Sequence, residues 1–123
     1  MDIPNTCVET APSGNFMDLA NPQASLVSLT DIATSLGRLV RFTGHCVDQP
    51  ETVAEHSLLT DWIGCNLLHR LAHPPTTWMR LNWLLHDAHE AYTGDISTPM
   101  KRAIGIDRII KIQDALDKAI YES

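Results

Sequence analysis

The sequence predicts an all-α fold, and three observations predict it. No segment sustains the period-two alternation of a half-buried strand, four stretches repeat apolar residues at helical spacing, and Pro or Gly punctuates the gaps between them. At 123 residues the chain suffices for one modest domain, whose folding hides roughly two-thirds of the unfolded surface.

Residues 1–27 carry Pro4, Pro12, Gly14 and Pro22 with little periodicity, so an irregular arm is expected, with room for one short strand. The helical core is expected over 28–123. Ser28 stands three residues before Asp31, like a capping box with Asp in place of Glu, and Leu29, Ile32, Ala33, Leu36 and Val40 then recur at helical spacing. Phe42–Pro50, with Gly44 and Pro50, reads as a loop. A second helix is predicted from Thr52 to about Ala72, with Val53, Leu58, Leu59, Trp62, Ile63, Leu67 and Leu71 as its apolar face and Pro74-Pro75 as its stop. A third starts near Thr76 or Thr77 and runs through Met79, Leu81, Trp83, Leu84 and Leu85 to about Tyr92, where Gly94 closes it. Pro99 opens a short helical turn reaching Ile104. A last helix, from about Asp107, has Ile109, Ile112, Leu116 and Ile120 on one side.

Composition narrows the function. The hydrophobic share of 44% is ordinary for a globular protein, and no apolar run approaches the ~20 residues that cross a bilayer. The N-terminus has neither the basic nor the apolar region of a secretory signal. Cys7, Cys46 and Cys65 are an odd number with no CxxC pair, which argues for a reducing compartment. A net charge of −6 disfavours a surface for nucleic-acid polymers. The expectation is a cytoplasmic protein acting on something small, with no membrane partner.

Chemistry concentrates in Leu84-Leu85-His86-Asp87-Ala88-His89-Glu90. At about 100° per residue, His86 and Glu90 share a helix face with Asp87 beside them. Adjacent His and Asp after two leucines are costly near a core unless something satisfies them, either each other by a hydrogen bond or a divalent metal. A second cluster, Val53-Ala54-Glu55-His56-Ser57, lies on the preceding helix. His56, His86 and Asp87 together make a two-histidine, one-carboxylate set, the minimum for a metal site that leaves positions open to water and substrate.

These segments, with SGNFMDLANP, IATSLGRLVRFTGH, TVAEHS and LLHDAHEAYTGDISTPMKR in that order, resemble the HD-domain superfamily of metal-dependent phosphohydrolases. Within it the series is similar to the branch of bacterial 5′-deoxynucleotidases and phage-encoded deoxynucleotide hydrolases, including those for deoxyadenosine triphosphate. The resemblance implies a compact helical bundle with His56, His86 and Asp87 as ligands of a divalent cation, whether Co, Mn, Zn, Fe or Mg. It implies that Glu90 activates or orients the attacking water and that Asp95 lies by the sugar and the reacting phosphate. It also implies that Arg41 contacts phosphate while Phe42 packs on the deoxyribose. His45, in RFTGH, reaches a phosphate or closes a loop hydrogen bond. The implied reaction releases phosphate or polyphosphate from a deoxynucleoside mono- or triphosphate in the cytoplasm of a bacterium or a phage-infected bacterium. An HD hydrolase of another nucleotide, such as a guanosine polyphosphate, and an inactive nucleotide- or metal-binding module are the alternatives.

The superfamily pattern ends on a further aspartate, some tens of residues after the TGD loop. Asp107, Asp114 and Asp117 arrive too early for it, and a solvated helix face is expected for Asp114 and Asp117. Either the chain is a shortened version of a longer protein or three protein ligands hold the metal. His89 is expected beside the ligands or at the surface, His69 and His73 near a helix end, and Lys101 and Arg102 in solvent or near a phosphate. Trp62, Trp78 and Trp83 are expected in the core or an interface. With the isoleucine-rich last helix they give a small domain more apolar surface than one core can hide, which predicts a homo-oligomer, at least a dimer, with the last helix as either the contact or intramolecular core.

Overall fold

The computed structural model describes residues 2–45 and 48–123. Cys46, to which no role is assigned above, therefore lies outside the described residues, as does part of the Phe42–Pro50 loop. The fold is all-α, built on α1 (Leu29–Arg38), α2 (Val53–Arg70), α3 (Thr77–Leu85), α4 (Glu90–Thr93), α5 (Thr98–Ile104) and α6 (Ile106–Glu122). The arm holds two short strands rather than one. β1 (Cys7–Glu9) and β2 (Phe16–Asp18) pair antiparallel with Val8 opposite Met17. Three-residue strands carry too little alternation to register as a period.

The arm is anchored to the helices by one apolar and one polar device. Met17 is fully buried among Ile32, Leu36, Val53, Ala88, Tyr92, Leu116 and Ile120, which form the core. Asp31, in the first turn of α1, is buried and accepts hydrogen bonds from the Thr10 hydroxyl (2.8 Å), the Ser13 amide (3.0 Å) and the Ser13 hydroxyl. These donors satisfy a carboxylate that burial would otherwise penalise.

Local chemistry sets the helix starts. The side chains of Ser28, Thr52, Thr76 and Ser97 accept from the amides of Asp31, Glu55, Met79 and Met100, so each caps a helix whose first amides have no internal partner. The bidentate Arg80–Asp61 pair, 2.8 and 3.0 Å, joins α3 to α2.

Two expectations about the helices need correction. Of the apolar face predicted for α2, only Val53 turns into the domain. Leu58, Leu59, Trp62, Ile63, Leu67 and Leu71 are 48–66% exposed, whereas Val53, Ser57 and Asp61 are buried. Periodicity locates a helix and divides its faces, but which face turns inward is decided by the partner. Here α3 claims the other side, through Arg80 on Asp61 and the Trp83 ring against Gly64. The third helix also breaks. It ends at Leu85, and α4 begins at Glu90 after a turn in which the amides of Ala88, Glu90 and Ala91 donate to the carbonyls three residues back. That tighter winding replaces the regular helix at the residues that carry chemistry. Downstream, Gly94 closes α4 at φ 79°, a conformation open to glycine. In α6, Ile109, Leu116 and Ile120 are buried and Ile112 packs against the core, so the last helix belongs to the interior of this chain. No described helix is long and apolar enough to cross a membrane.

Candidate metal centre

His56 reaches the site from the first turn of α2, where its amide donates to the capping Thr52. The chain just before it is zipped to the end of α1. Val40 bridges Thr52, the Arg41 amide donates to the Glu51 carbonyl (2.9 Å), and the Val53 amide donates to the Leu39 carbonyl (2.8 Å). This pairing sets Arg41 and His56 near one another although fifteen residues separate them in sequence. His86 and Asp87 arrive from the turn between α3 and α4.

The three side chains converge. His56 Nε2 lies 3.2 Å from His86 Nε2 and 3.6 Å from Asp87 Oδ2, and His86 Nε2 lies 3.0 Å from the same oxygen. Ligand bonds of about 2.0–2.2 Å place neighbouring ligand atoms around a tetrahedral or octahedral ion roughly 3.0–3.5 Å apart, so this triangle has the edge lengths of a coordination shell. The donor chemistry agrees. His86 Nδ1 sits 2.7 Å from the Trp83 carbonyl, an acceptor, so in the neutral ring Nδ1 carries the hydrogen and Nε2 presents a bare lone pair. The His86 lone pair, the facing His56 Nε2 and a carboxylate turned on one point fit a cation.

Electrostatics around the triangle follow from burial and charge. Burial is the main influence on His56 and lowers its pKa, with Arg41 adding to the effect. The hydrogen bond to Asp87 raises that of His86. For Asp87, burial is the largest single influence and pushes upward, but His86, His56 and His89 together hold the carboxyl below its usual range. Glu90 is the outlier. Burial, then the charges of Asp87 and Asp95, push it up to about 7.

Beside the triangle lies a cavity of about 400 Å³, lined by Arg41, Phe42, Asp87, Glu90, Asp95 and Lys101 among others. The Arg41 guanidinium stands 4.8 Å over the Phe42 ring and is held by Glu51 at 2.9 Å. Phe42 and Thr43 both adopt left-handed backbone (φ 56° and 50°), and the Thr43 amide donates to Asp95 Oδ2 at 3.0 Å. Non-glycine residues pay about 1–3 kcal/mol for such conformations, which persist where surrounding contacts enforce them and cluster at functional sites. His45 is exposed and caps the same turn through its amide on the Phe42 carbonyl. It is not among the residues lining the cavity.

Several participants escaped sequence reasoning. Glu51 holds Arg41 from a loop without motif or period. His89 is buried and bonds Asp117 (Nδ1–Oδ1 2.9 Å), so Asp117 is no freely solvated residue, whereas Asp114 is exposed. A buried histidine beside two carboxylates is the signal that would have prompted a search for its partner. Lys101 reaches the cavity wall and Arg102 does not, a division that α5 alone decides.

A family model described as HD domain matches residues 36–119. An uncharacterized protein of Rhodobacter capsulatus is 38% identical over 112 residues, covering 89% of this chain and 54% of that protein. The uncharacterized protein YfdR of Escherichia coli is 32% identical over 96 residues, covering 78% and 46%. The chain thus spans about half the length of the curated relatives it matches.

Proposed function

From the premise that this chain belongs to the HD-domain family, whose members are generally metal-dependent phosphohydrolases, we propose that it hydrolyses a phosphate ester of a deoxynucleotide. The observation that carries this reading is the convergence of His56, His86 and Asp87 at the edge of a cavity that also holds Arg41, Phe42, Glu90 and Asp95.

Phosphate-monoester hydrolysis needs accelerations of up to ~10²¹, and a general base alone supplies about 10² to 10⁴. A divalent cation held by His56, His86 and Asp87 would acidify a bound water and neutralise a phosphoryl oxygen. The remaining work falls to the chain. Glu90, half-buried with its pKa near 7, takes the proton of the attacking water. Arg41 offers planar donors to the phosphate, pre-positioned by Glu51, and Lys101 adds a second cation on the same cavity. Phe42 occupies the space beside the sugar that a 2′-hydroxyl would need. Asp95 fixes the turn that presents both Arg41 and Phe42.

The test is phosphate and polyphosphate release from a panel of ribo- and deoxynucleoside mono- and triphosphates, with Mn, Co, Zn, Fe or Mg added to chelator-stripped protein. Metal-dependent release that favours deoxynucleotides, with Phe42→Ala raising the ribonucleotide share, is the expected result. Bound metal and nucleotide without release would sink the enzyme reading and leave a binding module. Release from guanosine polyphosphates alone would move the activity elsewhere in the superfamily.

A further inference from the structure

The turn between α3 and α4 carries His86, Asp87 and Glu90, yet Leu85-His86-Asp87-Ala88-His89-Glu90 contains no Gly or Pro that would break a helix there. Tighter winding in such a sequence has to be held by contacts from elsewhere in the fold. We propose that the hydrogen bond between His89 and Asp117 is one such hold, and that these two are positioning residues for Asp87 and Glu90. The inference rests on the metal-site reading and adds to it two residues outside the triangle.

His89 is the junction of the turn with α4. Its carbonyl accepts the amides of Tyr92 (3.0 Å) and Thr93 (3.3 Å), and Glu90 follows it directly in the chain. The side chain is only 10% exposed, and its Nδ1 donates to Asp117 Oδ1 at 2.9 Å. Asp117 is itself fixed, because Leu116 and Ile120 bury the same stretch of α6 in the core. A ring nitrogen of His89 also lies within 4.8 Å of a carboxylate oxygen of Asp87 and of Glu90, so the ring stands beside both.

The neighbouring residues are pinned by other means. His86 is oriented by the Trp83 carbonyl, and the Ala91 carbonyl accepts the Ser35 hydroxyl at 3.1 Å. Of the two residues that separate Asp87 from Glu90, Ala88 is held by packing in the core and His89 by its bond to α6. Packing fills space, whereas a directional bond on a short side chain fixes the backbone that bears it. Partners that orient the surroundings of a metal ligand typically govern affinity by about 10- to 100-fold.

Mn²⁺ affinity, read from the loss of the free-ion electron paramagnetic resonance signal, tests the proposal on the parent chain and its variants. His89→Leu fills the space without a donor, whereas His89→Asn sets an amide nitrogen where Nδ1 stands. His89→Leu and Asp117→Ala should each weaken Mn²⁺ binding by about tenfold or more, and the double variant by no more than either alone. His89→Asn and Asp117→Asn keep a donor and an acceptor and should bind nearly as the parent does. Asp117 is 33% exposed, so Asp117→Ala serves as the readout even where His89→Leu fails to fold. In the nucleotide assay the two damaging variants should lower kcat with little change in KM, because Arg41, Phe42 and Asp95 stand on other loops. Parent-like Mn²⁺ affinity in Asp117→Ala would overturn the proposal. Equal losses in His89→Asn and His89→Leu would also overturn it, by showing that ring packing and not the bond matters. A parent that binds Mn²⁺ but releases no phosphate would remove the hydrolase reading alone, and the Mn²⁺ series would still decide the positioning role. A parent that binds no Mn²⁺ would overturn both.

Discussion

The Asp95 carboxylate accepts the backbone amide of Thr43 at 3.0 Å, joining the turn that carries Arg41 and Phe42 to the loop after α4 across fifty-two residues of chain. The two loops that wall the cavity are thereby one unit, and the left-handed conformations of Phe42 and Thr43 are held by that bond and by the Val40–Thr52 pairing behind it.

Asp95→Ala removes the acceptor and should weaken substrate binding more than metal binding. A hydrogen bond to a charged group contributes about 1.5–3 kcal/mol, so KM should rise roughly ten- to a hundredfold. Metal content, read by mass spectrometry, should stay at the parent level, because His56, His86 and Asp87 do not depend on this bond. Adding Thr43→Gly should recover part of the loss, since glycine adopts the turn without strain. Loss of metal in Asp95→Ala would show that the loop supports the ligands as well.

The pH dependence should report Glu90. Burial and the neighbouring Asp87 and Asp95 raise its pKa to about 7, and a base works only when ionised, so the rate should climb as pH rises through that value. A cation at the triangle offsets the Asp87 charge, which places the midpoint in the loaded protein at or below 7. Glu90→Gln should lower kcat by about 10² to 10⁴ and remove this acid limb from the rate profile. An unchanged limb in Glu90→Gln would assign the titration to another group.

How much of this was legible depends on whether the cause is local. The caps at Ser28, Thr52 and Thr76 act within three residues, and the expected starts of α1, α2 and α3 fall at them, whereas the cap at Ser97 went unread behind Pro99. The cluster around His86 and the second histidine at His56 were legible as chemistry, because such residues after leucines need a reason to be there. The inward face of α2 was not, since it depends on Trp83 meeting Gly64 and Arg80 meeting Asp61, each pair nineteen residues apart. Separation along the chain also hid the Thr43–Asp95 bond and the pairing of His89 with Asp117. The break between α3 and α4 was invisible for another reason: Gly and Pro are absent there, and the winding tightens without a breaker.

Acid should release the arm first. Hydrogen bonds from Ser13, then Thr10 and Ser28, hold the Asp31 carboxyl below its usual range against the opposing effect of burial. A carboxylate whose pKa is depressed by folding contributes stability above the ordinary carboxylate pKa near 4, and that contribution is lost as pH falls through the folded value. Hydrogen exchange of the β1–β2 amides should therefore accelerate below about pH 4 before that of α2. Asp31→Asn should reduce that pH dependence and be less stable than the parent at pH 7. Equal pH dependence in the variant would refute the assignment.

Gly64→Ala tests the packing that turns α2 around. Alanine in a helix interior is favoured over glycine by about 1 kcal/mol, so propensity alone predicts stabilisation. A Cβ at this position, however, would lie 2.8 Å from two ring carbons of Trp83, closer than side chains approach one another. The indole is rigid and its neighbours on α3 are tied to α2 through Arg80 and Asp61, so relief requires moving the helix. Overpacking of this kind costs about 1–3 kcal/mol, which leaves a net loss of roughly 1 kcal/mol and a melting temperature lower by about 4 °C. Since His86 Nδ1 takes its orientation from the Trp83 carbonyl, the displacement should also weaken metal binding. Trp83→Leu in the Gly64→Ala background should remove the clash and let the propensity gain appear. Gly64→Ala that melts above the parent would show that α3 is not held against α2 as the structure places it.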